Sequence, residues 1–567
     1  MIITYDIGIS TGWYSIGKSQ DILGMAMKVA YGATAGVPMM QIDLETTSEF
    51  LEPMNVYRVK RIMKELGLKV GLHAELGDIV ALESAERRFW ENSHLRMIET
   101  IKNATELGFI YVNIHASQTI QLYQEEQRLK PFGHQYQVVG PDGKQLWNLC
   151  ESSPATKAKA VEYIDFRASI KHDVLTEVQD NIKKESKEKL DKELNEFASN
   201  TRKELEKEAD EQGYKGDQKK AFVDQNLNRA IQGYYPELKR KWDEWGDEKL
   251  RSPDVKFDMW KRSKMESYFI EAGEIGAYMI VAEYMYKTRD MLWTNIVGDM
   301  DPEDAYNRNQ KGFNAAVAAY YMYNHLTIKD HRFNREHLNG MSIIEWLNAK
   351  KIYLLVETPE VKGSGMESLS RFYHPIDIYY LIKKMGSPYF KLCIDFEHML
   401  SQKIEIDKVM DKLPEDIGKQ IVLFHLTKPI PYGGTAHPQI PLGSRTQETI
   451  YRWLYKFREK GFKDGYLIYE RGGGDTPLKV LEQTVLVLRL LKEYLEKGTK
   501  PDELPEHFYG ISEMNEAKYK MQQVIIKEHA WDPLKGLITI PEEEHTFLGR
   551  AAIEKGKAEE WKRAKFR

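Results

Sequence analysis

The chain has 567 residues, 42% of them hydrophobic and 29% charged, which describes a folded globular protein too large for one hydrophobic core. Roughly two to four structural units are expected at this length. A formal net charge of -5 excludes a broad electrostatic pull toward nucleic acid and leaves only a local basic groove as a route to phosphate.

Two cysteines, Cys150 and Cys393, are too few for a disulfide framework and suit a reducing compartment. No run of about 18 apolar residues suggests a membrane span, and the opening MIITYDIGIS lacks the basic start and long apolar core of a signal peptide. A cytoplasmic location and no membrane partner are expected.

In chain order, short apolar runs rich in β-branched and aromatic residues recur, each followed by turn chemistry and a helix-length segment. They are IITYDIG at 2–8, PMMQIDL at 38–44, LKVGLH at 68–73 and FIYVNIH at 109–115. After a long interruption come KIYLLVE at 351–357, FKLCID at 390–395, QIVLFH at 420–425 and GYLIYE at 465–470. Eight apolar strands alternating with helices predict an α/β chain folded as a closed (β/α)8 TIM barrel. Intervening helices follow from spacing: Val56, Val59, Ile62, Met63 and Leu66 recur at intervals of three and four with Gly67 just beyond.

The barrel is therefore expected to be discontinuous, over 1–120 and 347–496, with a mainly helical insertion at 121–346 and a helical C-terminal extension at 497–567. Within the insertion, Leu190, Leu194, Phe197, Thr201 and Leu205 fall on one helical face of a Lys/Glu-rich segment. Gly213 and Gly216 break that pattern before a second helix carrying Phe222, Leu227 and Ile231, so a helical hairpin is expected. It offers a surface for a protein partner. The segment 265–327 is richer in aromatic residues, and the barrel's fourth outer helix is sought there.

The C-terminal ends of barrel strands are where active sites are built in this architecture. His73 ends the third strand, His115 the fourth, Glu357 the fifth, Asp395 the sixth, His425 the seventh and Glu470 the eighth. Closing the barrel brings these groups to one mouth. Three carboxylates there would repel each other, whereas divalent cations reconcile them with three imidazoles. Mixed nitrogen and oxygen ligation favours Zn, Mn, Fe or Co over Ca. His398, three residues beyond Asp395, is placed to face the same mouth, and His437 sits in the glycine-rich seventh loop PYGGTAHPQIPLG. Lys428 and Arg471 are candidates to orient substrate or phosphate.

The peptides GLHAEL, NIHAS, LLVETPEVKGSG, CIDFEHM, LFHLTKP, TAHPQIPLG and LIYE, in that order, resemble the xylose-isomerase-like barrels, particularly the endonuclease IV family of abasic-site DNA repair enzymes. The resemblance covers roughly residues 1–120 and 347–480. It implies two or three divalent transition-metal ions, zinc or manganese. His73, His115 and Glu357 would hold one, Glu357 would bridge to a second held by Asp395, His425 and Glu470, and His398 and His437 would help hold a third. The implied activity is phosphoester hydrolysis at abasic sites by a metal-bound hydroxide that Glu357 positions, with the DNA phosphate backbone as partner. Two departures stand out: Thr435 occupies the position of an expected aspartate two residues before His437, and HAELGD lacks the family's tyrosine.

Glu357, Asp395, His425 and Glu470 taken alone resemble instead the single-metal set of sugar isomerases and epimerases in the same superfamily. There Glu357 and Glu470 would exchange a proton beside a polarised carbonyl of a small sugar. His73 and His115 discriminate, because an additional metal needs them and a one-metal epimerase does not. A noncatalytic metal-binding assembly protein is the third reading.

Overall fold

The computed structural model describes residues 3–11, 24–44, 48–51, 53–74, 81–117, 138–151, 153–163, 170–263, 274–361, 370–429, 437–470 and 481–510. Thr435 and Arg471, and the stretch 511–567 of the expected helical extension, lie outside them.

Eight parallel strands close into a barrel in sequence order. They are β1 (Thr4–Ser10), β2 (Met39–Asp43), β3 (Lys69–His73), β4 (Tyr111–His115), β5 (Tyr353–Glu357), β6 (Phe390–Asp395), β7 (Ile421–His425) and β8 (Asp464–Tyr469). Every one overlaps an apolar run seen in the sequence, because a parallel strand covered on both faces needs a near-continuous apolar stretch. β8 pairs with β1, leaving the sheet no free edge.

Alternation along the strands builds the interior in layers. Met39, Tyr111, Leu355, Cys393, Leu423 and Ile468 form one fully buried cluster. Burying aliphatic and aromatic side chains of this size contributes about 1.5–3 kcal/mol each. Two residues further along β4, β5, β6 and β7, on the same inward face, stand Asn113, Glu357, Asp395 and His425. The layer that seals the barrel is thus the floor of its mouth.

The outer helices include α1 (Met25–Ala33), α2 (Pro53–Leu66) and α3 (Arg87–Leu107). Val59 of α2 is buried, but Leu66, the last residue of its apolar stripe, is 61% exposed. α3 is capped at both ends, by the Glu86 carboxylate on Phe89 N and by Gly108 in the left-handed region.

Clustering of contacts divides the chain into two units. One comprises Met1–His134, Pro141–Gly143 and Arg289–Arg567, and the other Gln135–Gly140 and Lys144–Thr288. The second unit contains two long helices, α4 (His172–Glu211) and α5 (Gly216–Arg251). They run antiparallel, joined by Lys241 on Glu193 at 2.8 Å, the Trp242 indole on the same carboxylate at 3.0 Å, and Lys249 with Glu185. In the barrel unit, α6 (Gln310–Thr327) packs against α7 (Ile343–Lys350) and α8 (Pro375–Met385), and its His325 stacks on Trp90 of α3. α6 therefore occupies the outer layer between the helices that follow β3 and β5.

Candidate metal centre

The strand ends converge. Ligand-capable atoms of Glu357, Asp395, His425 and Glu470 lie within 4.8 Å of one another, as do those of His73, His115 and Glu357, and those of Asp395, His398, His437 and Glu470. All are buried except His437, which is partly so. The eight candidate ligands therefore fall into three overlapping groups that share Glu357, Asp395 and Glu470. Cys393 also groups with Glu357 and His425, from one layer below.

Asp395 answers why a carboxylate closes an apolar strand. Its Oδ1 accepts from His398 N at 2.9 Å and caps a short helix, α9 (Phe396–Ser401). Its Oδ2 is buried with no hydrogen-bond partner among the described residues. One oxygen builds the local turn and the other is left facing the centre.

Three histidines are anchored in the same manner. His73 Nδ1 lies 3.0 Å from Ala74 O, His398 Nδ1 3.1 Å from Thr358 O, and His425 Nε2 2.9 Å from the Gln41 side-chain oxygen. Each acceptor requires an N–H on the ring nitrogen it faces. In the neutral ring the opposite nitrogen is then a bare lone pair. His73 Nε2 sits 3.4 Å from Glu357 Oε2 and 4.0 Å from Glu470 Oε1. His425 Nδ1 lies 2.9 Å from Glu357 Oε1, 3.2 Å from Glu470 Oε2 and 3.9 Å from Asp395 Oδ2. Lone pairs aimed at carboxylates repel unless a proton or a cation stands between them.

The protonation pattern reflects that demand for positive charge. Burial alone would raise the Glu357 carboxyl, but His425, His398 and His73 hold it well below the usual carboxylate range. Glu470 is likewise lowered against burial by His425 and His437. Burial, with Glu470 and Glu357 nearby, pushes Asp395 upward despite His398. Burial lowers His425 and His398, yet Cys393, Glu357 and Glu470 carry His425, and Asp395 and Glu357 carry His398, well above the ordinary imidazole value. His437 is raised to about 9 against burial by Glu470 and Glu397, whereas burial takes His115 down to about 3. His115 Nε2 and His398 Nε2 have no hydrogen-bond partner among the described residues. Bare imidazole nitrogens, an unpartnered carboxylate oxygen and anchored opposite ring atoms are the donor set of a divalent transition metal.

Several contributors escape a search for strand-end ligands. Asn113 donates to Glu357 Oε2, Thr427 donates to buried Glu397 at 3.1 Å, and Glu397 stands 3.1 Å from His437 Nδ1. His437 adopts a φ of 44°, a left-handed conformation that costs a non-glycine residue on the order of 1–3 kcal/mol. Alternation was the available signal for Asn113, two residues before His115. Lys428 is buried three residues beyond His425, its backbone N–H donating to Pro438 O at 2.8 Å.

No protein-family model and no curated protein matches the chain. Among solved structures, it is similar to a D-tagatose 3-epimerase-like protein, with 12% identity, a TM-score of 0.36, and coverage of 87% of this chain and 98% of the other. It is also similar to 3-keto-D-glucoside 4-epimerase from E. coli, with 10% identity, a TM-score of 0.36, and 86% and 99% coverage. An L-ribulose 3-epimerase matches at 10% identity, a TM-score of 0.36, and 87% and 96% coverage.

The expectation of abasic-site phosphoester hydrolysis is corrected: the three proteins matched are named for sugar epimerisation, the chemistry set beside it as the alternative, and a DNA partner finds no support among them. The physical reason for the error lies in the peptides that suggested it. GLHAEL, NIHAS, CIDFEHM and LFHLTKP carry candidate metal ligands, of a kind that hydrolysis and proton transfer both use, so they speak for a metal rather than for its substrate.

Proposed function

We propose that the chain is a divalent-metal-dependent sugar isomerase or epimerase, acting on a small ketose at the barrel mouth. The observation that carries the proposal is the buried group Glu357, Asp395, His425 and Glu470, two of whose members are glutamates that both approach His425 Nδ1. These four residues would hold one ion, zinc or manganese by their mixed oxygen and nitrogen donors. When bound, the ion supplies Lewis acidity toward a sugar carbonyl and neutralises the carboxylates.

Glu357 and Glu470 act as the proton-transfer pair. One carboxylate takes the proton from the carbon beside the carbonyl, the electrons of that C–H bond pass toward the carbonyl oxygen, and the other carboxylate delivers a proton to the opposite face. Such transfers contribute about 10²–10⁴-fold each. Asn113 and His425 hold Glu357 in one orientation, so little reorganisation accompanies proton removal. His73 and His115, beside Glu357, are free in this reading to bind sugar hydroxyls, and Lys428 and Arg471 are assigned to substrate orientation.

The test is solvent exchange. Protein reconstituted with Mn²⁺ or Zn²⁺ is expected to carry deuterium from D2O into a pentulose or hexulose beside its carbonyl. One tight ion per chain is expected, with His73→Ala and His115→Ala keeping full occupancy. Absence of exchange across a panel of ketoses with metal-loaded protein overturns the proposal.

A further inference from the structure

The feature of interest lies one layer below the metal ligands. Gln41 of β2 is fully buried, and its side-chain oxygen sits 2.9 Å from His425 Nε2 on the far side of the barrel. The same oxygen accepts from the Tyr111 hydroxyl at 2.9 Å, while Gln41 Nε2 donates to Asp43 Oδ1 at 3.1 Å. The Asp43 contact fixes the amide's orientation, since a flipped amide would turn its carbonyl toward the Asp43 carboxylate, which only accepts. His425 Nε2 must then carry a proton, leaving Nδ1 toward Glu357, Glu470 and Asp395.

Tyr111 reaches Gln41 by crossing over β3. It can do so because β3 has Gly71 there, opposite Gln41 in the strand register. A Cβ at Gly71 would lie 2.1 Å from the Tyr111 ring carbon Cζ. A glycine on β3, a tyrosine on β4 and a glutamine on β2 thus form one chain of contacts ending at a ligand on β7.

We propose that Gln41, held in place by Tyr111 over Gly71, is a positioning residue of the metal centre that fixes the ring orientation and metal-facing nitrogen of His425. This inference rests on the metal site assigned under the proposed function. It adds a residue that touches neither ion nor substrate and acts through His425.

Three variants test it by divalent-ion affinity and ring-proton NMR. Gln41→Met keeps volume but removes the acceptor, and is expected to weaken Zn²⁺ and Mn²⁺ binding about 10–100-fold, the usual effect of losing such a partner. Gln41→Glu keeps an acceptor oxygen and should hold affinity closer to the parent than Gln41→Met does. Tyr111→Phe frees the amide and should cost about 2–10-fold, as for loss of one neutral hydrogen bond.

In ¹⁵N-histidine protein, a slowly exchanging His425 Nε2–H proton, assigned by its loss in His425→Gln, is expected with and without Zn²⁺ and should vanish in Gln41→Met. Parent-like affinity together with that proton persisting in folded Gln41→Met overturns the inference; if Gln41→Met does not fold, parent-like affinity in Tyr111→Phe does so. Failure of the parent protein to bind any ion would defeat the functional proposal, while the ring-proton signal still decides the role of Gln41.

Discussion

A buried histidine pair remote from the mouth gives a direct test of acid sensitivity. His94 of α3 and His325 of α6 lie against Trp90, with ring centroids 4.9 and 4.2 Å from the indole. Asn334 donates its amide to Ile328 O and Met341 O, which turns its oxygen toward His94 Nε2 at 2.7 Å. His94 Nε2 therefore donates, and its bare Nδ1 accepts from His325 Nδ1 at 3.2 Å. Proton uptake at His94 Nδ1 would remove that acceptor and leave two N–H groups opposed.

Burial takes His94 from 6.5 to about 4, with the Asn334 contact acting the other way and His331 adding repulsion; His325 is also lowered well below the ordinary imidazole value, again chiefly by burial. His331 itself is held near Glu91, Arg332, Arg335 and Glu336. Because the folded value lies below the unfolded one, the unfolded chain binds more protons as pH falls. The stabilisation is fully present above about 6.5 and is lost progressively toward 4. For His94 the gap corresponds to about 3 kcal/mol in all, of which about 2 kcal/mol is lost by pH 5. Urea unfolding of the parent and of His94→Gln at pH 5 and pH 7.5 measures it. The variant starts less stable but should lose about 2 kcal/mol less over that interval. Parallel losses in the two proteins would refute the reasoning.

Other expectations concern the mouth and its supports. Glu357→Gln should lose tight metal binding and solvent exchange together, because Glu357 belongs to three of the four ligand groups, the proposed four-residue set among them; inductively coupled plasma counting and the deuterium assay check both. Chelation should lower the melting temperature reversibly, by the equivalent of about 2.7 kcal/mol when the ion had been present at 100 times its Kd, read by calorimetry with and without added Mn²⁺. Gly71→Ala should cost about 1–3 kcal/mol by overpacking Tyr111 and should weaken metal binding as well. Ser342→Ala removes half of a capping box at the start of α7 and should cost about 1 kcal/mol in urea unfolding, with metal affinity unchanged.

The strands could be located from sequence because an inward-facing parallel strand is apolar on both faces until it reaches the rim. There a single polar residue, such as His115 after YVNI or Asp395 after KLCI, marks the change of environment. The same alternation that places His115 at the rim also turns Asn113 and Tyr111 inward, yet neither stands out as a ligand, and nothing local says what an inward asparagine will meet. Gln41 is harder still. Its partner His425 is 384 positions away, and the contact exists only because closure sets β2 and β7 across one interior.

The substrate was illegible for a different reason. The residues that bind an ion are dictated by its charge and coordination, whereas those that choose between a phosphodiester and a ketose lie in the loops above the rim, where spacing carries little information. Eight rim residues therefore speak strongly for a metal and weakly for a reaction. The layer beneath them supports the proposed base: Glu357 is held by Asn113 and His425, and His425 by Gln41, so the carboxylate proposed to move a proton is fixed from below. A base held this rigidly needs its substrate brought to it in one orientation. Lys428 and Arg471, the residues proposed to do so, are where variants that alter sugar preference without altering metal affinity are expected, as measured by exchange rates on paired ketoses.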